Sequence, residues 1–299
     1  MAIISSTIHI FVFLLAMEPG LIWGTNTSPC CEPVEATDND KIQFALNLEF
    51  MEAEFFLRGA LGEGLDAINS SLAEGGPPPI GARKANLDPL THRIIEEFGY
   101  QEVGHIRAII NTVGGFPRPL IDLSPQNFAK LFNKAVGFTL KPSFDPYANS
   151  LNYLLASYVI PYVGLVGYVG TIPGLTYYTT RRTLIMPRTH LEYGYFIVVG
   201  SFTFGSGIWA GCSDKNIVER ASHVWHKDEG LRVPKKLGAE NRTTSNILSA
   251  DAYSLSYLAN TAEILRTVYG TGNESRPGGF YPHGANGNIA RSFLFPDKY

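Results

Sequence analysis

Cysteine is scarce in this sequence. The 299 residues include three. Cys30 and Cys31 are adjacent, and Cys212 stands far away. That excludes a disulfide-stapled framework and any cysteine-based zinc pattern. How the three might pair stays open. Charge of one sign is lacking too. Lys and Arg number 24 against 27 Asp and Glu, a formal net charge of -3 at pH 7. No basic surplus exists to hold nucleic acid. The Gly-x-Ser-x-Gly elbow, the phosphate loop and the dinucleotide fingerprint after a strand are all missing. Gly62 and Gly64 only mark a turn. No repeat of fixed period is visible, and 45% hydrophobic residues suffice for one large core, with or without an extended tail.

Long apolar runs are few. Residues 8–17 have the length of a signal h-region and are too short to span a bilayer. With small residues near Gly24, residues 1–24 read as a secretory signal, although no Lys or Arg precedes the run. A signal anchor is the alternative. Sequons at Asn26, Asn69, Asn241 and Asn273 agree with an extracellular route. A second uncharged run, residues 193–212, holds five glycines and two serines, a poor membrane span. It reads best as irregular structure. A span, or a stretch foreign to the fold such as a misread exon boundary, are the other readings. No membrane contact beyond the signal segment is expected.

What the chain does have is one unusual helix. Residues 44–65 place Phe44, Leu48, Met51, Phe55 and Phe56 on a broad apolar arc at 100° steps. Gln43, Asn47, Glu54 and Arg58 make a narrow polar face. Glu49 and Glu52 fall inside the apolar arc. A carboxylate there is costly unless paired, protonated or bound to metal. The helix starts near Asp40. Glu49 pairing with Arg58 or a tyrosine, and Glu52 with His105, is the purely structural alternative.

A second helix opens at Asp88-Pro89 and stops at Gly114. Leu90, Ile94, Ile95, Phe98, Ile106, Ala108, Ile109 and Val113 mark its apolar face. Glu102 and His105 lie at the centre of that face as a Glu-x-x-His pair. A short helix follows from Ser124-Pro125 to about Ala135. Asp145-Pro146 then opens a long apolar helix, kinked at Pro161, with no acid or histidine over residues 148–170. The polar, turn-rich residues 227–299 hold one helix, residues 261–269, with Asn260 as its cap and Glu263 completing a capping box. His92, His190, His223, His226 and His283 have no ligand spacing and read as surface or loop residues. Two carboxylates on one helix and Glu-x-x-His on the next are the parts from which helical bundles build di-iron and di-manganese sites.

The stretches LNLEFMEAEFFLRGALGEGLD, GGPPPIGARKANLDPLT, FGYQEVGHIRAI, GFPRPLIDLS and FDPYANSLNYLLASYVIPYVGLVGYVG resemble the plant desiccation-related protein family of the ferritin-like superfamily. The resemblance covers residues 41–183 and 227–292. It implies a ferritin-like four-helix bundle, secretion and a link to water-deficit stress. The family's first-helix ligand precedes an aromatic pair by six and seven residues. Glu49, followed by Phe55 and Phe56, fits that spacing, with Glu52 as second choice. Glu102 and His105 match the second-helix motif. The third helix departs from the pattern, having no acid. Residues 184–226, with only Glu192 and Glu219, do not resemble the acidic fourth helix.

The expectation is therefore an all-α chain: a bundle over residues 38–183 with a doubtful fourth helix, a divergent segment 184–226, and an extended loop-rich C-terminal tail. Glu49, Glu52, Glu102 and His105 are its metal residues, an incomplete site for iron or manganese. The function expected is that of a secreted stress-related protein, non-catalytic or with a degenerate site and no assigned catalytic residue. The alternative is a di-iron or di-manganese oxidoreductase acting on oxygen or peroxide.

Overall fold

The computed structural model describes residues 35–183, 234–244 and 258–295. The segment expected to be a signal, Asn26, the three cysteines and residues 184–226 lie outside them. The described chain is all-α, with two isolated bridges, Ile80 with Asp122 and Gly278 with Tyr281. It belongs to one compact unit beginning at Pro33.

Helix α1 spans Asp38–Leu61. Thr37 caps it and exchanges hydrogen bonds with Asp40 in a capping box, an arrangement typically worth about 1 kcal/mol. It ends at Gly62, whose φ of 86° suits glycine, so the chain turns earlier than the apolar run suggested. Every residue from 44 to 57 is buried. A helix apolar almost all round is covered on all sides, and that overturns the expected polar face. Asn47 and Glu54 are buried as well.

A short helix α2, Leu65–Asn69, and a proline-rich loop lead to α3, Pro89–Val113. Asp88 caps α3 by accepting from the amides of Leu90 and Thr91, at 3.0 Å each. Gly114 closes it. Ile95, Val103, Ile106 and Ile109 are buried against α1, but Leu90 is 60% exposed and Ala108 faces solvent. Both were expected inside. Leu90 stands in the first turn, and Ala108 follows exposed Arg107 at the edge of the stripe.

Helix α4 is Pro125–Val136 and α5 is Ser150–Thr171. Asp145-Pro146 does not open α5. The Asp145 carboxylate accepts from the Tyr147 amide at 2.9 Å and forms a turn, leaving Asn149 as the cap. Helix α5 runs on through Pro161. It is long and apolar enough to cross a membrane, yet over half of it is buried inside the fold. Its inner face packs on α1. Tyr153 stacks on Phe55 at 4.5 Å and donates to the Phe55 carbonyl at 2.6 Å. Gly59 makes this possible, because a Cβ there would meet the Tyr153 hydroxyl at 1.9 Å.

Beyond α5, residues 178–183 are helical. Asp38 holds their start. Its carboxylate accepts from the amides of Thr176 and Tyr177 and from the Thr180 hydroxyl. The question of a fourth helix past this turn lies outside the described residues.

Among the described residues of the C-terminal segment stand two α-helices where one was expected, α6, Thr261–Tyr269, and α7, Asn288–Leu294. The loop-rich C-terminal segment is not extended. Phe280, Tyr281, Ile289 and Ala290 are buried. The Tyr281 hydroxyl donates to the Asn47 carbonyl at 2.6 Å, and Asn47 exchanges two hydrogen bonds with Asn286. Several aromatic and aliphatic side chains, each worth about 1.5–3 kcal/mol on burial, draw this segment onto the bundle.

Candidate metal centre

Glu49 and Glu52 stand one turn apart on α1, and Glu102 and His105 one turn apart on α3. Close packing of the two helices brings all four together. Nδ1 of His105 lies 2.8 Å from Oε2 of Glu102 and 3.1 Å from Oε2 of Glu49. One ligand atom from each of Glu49, Glu102 and His105 lies within 4.8 Å of the others. The carboxylates of Glu49 and Glu102 are 1% exposed and the imidazole 11%. Glu52 is equally buried, beside the three. Its Oε1 packs on Gly164 of α5, where a Cβ would come within 2.9 Å. Arg58 does not take part. It pairs with Glu54 at 2.8 Å, so the alternative of a Glu49–Arg58 pair is excluded.

The electrostatics follow from three acids sharing one buried imidazole. Burial pushes the Glu102 carboxyl up to about 8, and neighbouring Glu49 adds to the rise. Burial, then Glu102 and Glu49, hold Glu52 well above the ordinary carboxylate range. Burial by itself would lower His105. The Glu49 charge and hydrogen bonds to both carboxylates overcome it and hold the ring at about 11. The surplus of carboxylates is relieved by protons or by a cation. Oxygen-rich donors with one imidazole are the chemistry that iron and manganese prefer, so these residues fit such an ion.

Sequence reasoning allowed Glu49 a tyrosine partner but did not say which, and the structure supplies Tyr168. Its hydroxyl donates to Oε1 of Glu49 from α5, where the acid of a full di-metal site was sought. A tyrosine in a buried run needs a partner for its hydroxyl, and that was the available signal. Sequence reasoning missed the fully buried Arg118, which joins Glu54, Asp66 and the Pro77 and Gly76 carbonyls. Of the other histidines described, His92 is half-buried with Nε2 3.0 Å from the Ala60 carbonyl, and His283 is exposed. Asn241 and Asn273 are exposed and Asn69 half-buried.

Long antiparallel helices around an inward Glu and Glu-x-x-His define a ferritin-like protein, and the ferritin-like domain family matches residues 37–186. More narrowly, the chain belongs to the plant desiccation-related ferritin-like proteins. It is 49% identical over 308 residues to the ferritin-like catalase Nec2 of Nesocodon mauritianus, spanning 97% of this chain and 98% of that one. It is 40% identical over 267 residues to the desiccation-related protein PCC13-62 of Craterostigma plantagineum, spanning 86% of this chain and 85% of the other. No solved structure matches.

Proposed function

We propose that this protein is a secreted, stress-related enzyme that removes hydrogen peroxide by dismutation at an iron or manganese centre. The buried cluster of Glu49, Glu102 and His105 carries the reading. Likeness along nearly the whole chain to a protein named a ferritin-like catalase supports it. In the reaction one peroxide gives up two electrons and two protons and becomes dioxygen. A second peroxide accepts them, its O–O bond breaks, and two waters form. Bound iron or manganese supplies the electron relay between these halves.

The chain's own residues have distinct tasks. Glu49, Glu102 and His105 hold the ion. Glu52, fixed against Gly164, adds a third acid to the same buried space. The Tyr168 hydroxyl orients Glu49 and holds a proton at its oxygen. Apolar neighbours on α1 and α5 keep bulk water away.

Elemental analysis of the purified protein, reconstituted with iron or manganese, tests the binding. An oxygen electrode tests the chemistry. Metal uptake with oxygen release from peroxide is expected, both lost in Glu102→Ala and His105→Ala. Uptake of no metal after reconstitution sinks the reading. A second reading, a non-catalytic stress protein with one weakly held ion, is favoured by a single observation. Among the described residues, α5 offers a phenol where a full dinuclear site needs an acid. That reading expects metal without oxygen release. Secretion predicts glycans at Asn241 and Asn273, visible as a mass shift on enzymatic deglycosylation of protein from plant tissue.

A further inference from the structure

The buried carboxyl of Glu52 has no hydrogen-bond partner. It is 2% exposed, and among the described residues it neither donates nor accepts. It also stands outside the set of Glu49, Glu102 and His105, whose ligand atoms converge within 4.8 Å. A buried polar group without a partner gives up its hydration for nothing, so its position needs a reason. The reason lies on α5. Oε1 of Glu52 packs on Gly164, where a Cβ would come within 2.9 Å. The next atoms such a Cβ would meet are Cε2 of Tyr168 at 3.9 Å and Cδ of Glu52 itself at 4.0 Å. The bare Cα of Gly164 thus makes a seat for one carboxylate oxygen.

We infer that Gly164 is a positioning residue of the centre: by seating Glu52 against α5 it keeps this third acid off the ion, and so leaves to the substrate a coordination position that the carboxylate would otherwise fill. The inference rests on the peroxide reading above and adds to it the residue that keeps the site open. The charged groups around Glu52 are Glu49 on its own helix and Glu102 and His105 on α3. A carboxylate pushed off Gly164 therefore moves toward them. An oxygen-rich site binds its cation more tightly as it offers more charged ligands, whereas a site that turns over a substrate keeps one position free of protein. Gly164 decides between these two outcomes for the same set of acids.

Gly164→Ala fills the seat with one methyl group. Alanine forms helix better than glycine, and the atom it displaces is the far end of a flexible side chain, so the fold is kept. Two readouts on the full-length protein follow the carboxylate. Manganese affinity, titrated against a competing chelator, is expected to rise roughly tenfold, the scale on which outer neighbours tune a site. Azide, a small anion that takes an open position, is expected to give a charge-transfer absorbance with the iron-loaded wild-type protein and to lose it in Gly164→Ala. Adding Glu52→Ala to Gly164→Ala should restore the azide band and cancel the gain in affinity, which a mere change of packing would not do. Glu52→Gln keeps the seat occupied and leaves α5 untouched, so it is expected to bind manganese about as well as wild type. A loss as large as that of Glu102→Ala would mean that Glu52 already holds the ion, and overturns the inference. Wild-type manganese affinity and an unchanged azide band in Gly164→Ala overturn it as well. A wild-type protein that takes up neither metal overturns the metal reading beneath, which separates the two failures.

Discussion

The two oxygens of Glu49 are held from opposite sides. Oε1 accepts from the Tyr168 hydroxyl on α5, and Oε2 faces Nδ1 of His105 on α3 at 3.1 Å. Removing the phenol frees one side of a ligand while leaving every proposed ligand in place. Outer partners of this kind tune metal affinity by roughly 10–100-fold. Tyr168→Phe is therefore expected to fold normally and bind manganese that much more weakly, as measured by titration against a competing chelator. Unchanged affinity would show that the phenol only fills space. At this scale the sequence was readable where a residue broke its surroundings. Glu49, Glu52, Glu102 and His105 stood out because charge on an apolar face must be compensated. Tyr168 breaks nothing in an apolar helix, so its role emerged only when α5 was placed beside α1. Glu54 misled for the opposite reason, since its angular position is polar only if that side of α1 meets water.

Helix ends were legible where local chemistry alone decides them. Asp88-Pro89, Gly114, Ser124-Pro125 and Asn260 act within one turn of the backbone. Asp145-Pro146 carries the same signal but is spent on a turn, because the Asp145 carboxylate engages Tyr147 and Arg83. Outside the cluster of Glu49, Glu102 and His105, the long-range pairs were not read. The loop between α1 and α3 gives few local cues, yet Arg118 ties it down. Its guanidinium meets Glu54 on α1, Asp66 on α2 at 2.8 Å and the Pro77 carbonyl at 2.8 Å. Truncating one partner of a buried pair typically costs about 3–5 kcal/mol, because the other charge stays buried. Arg118→Ala is expected near the lower end, since Arg58 still reaches Glu54. Urea denaturation at neutral pH measures it. Adding Glu54→Gln should recover part of the loss, and a double variant no better than the single one would mean that Arg118 acts by packing alone.

For the whole molecule, the centre makes stability depend on pH in a direction opposite to that of ordinary salt-bridged acids. Without metal, the folded chain keeps the Glu102 proton up to about pH 8, whereas the ordinary value is 4.5. Between those limits the folded state binds more protons than the unfolded state, so stability falls as pH rises. His105 is raised from 6.5 to about 11, so its contribution is complete below pH 6.5 and drains away toward 11. Glu52 acts in the same sense as Glu102. Surface acids such as Asp40, lowered by hydrogen bonds to Thr37 and Asn288, work the other way, but only below about pH 4. The melting temperature of chelator-treated protein is thus expected to fall steadily from pH 5 to pH 9. Glu102→Gln stays neutral at every pH, so it should flatten the part of the decline below pH 8 and spare the part above it. Manganese should act against the decline, because binding needs deprotonated ligands and strengthens as protons leave. A metal-free melting temperature that rises from pH 5 to pH 8 would mean the three acids do not share one buried space. The cluster would then not be a place where protons or a cation must balance crowded carboxylates.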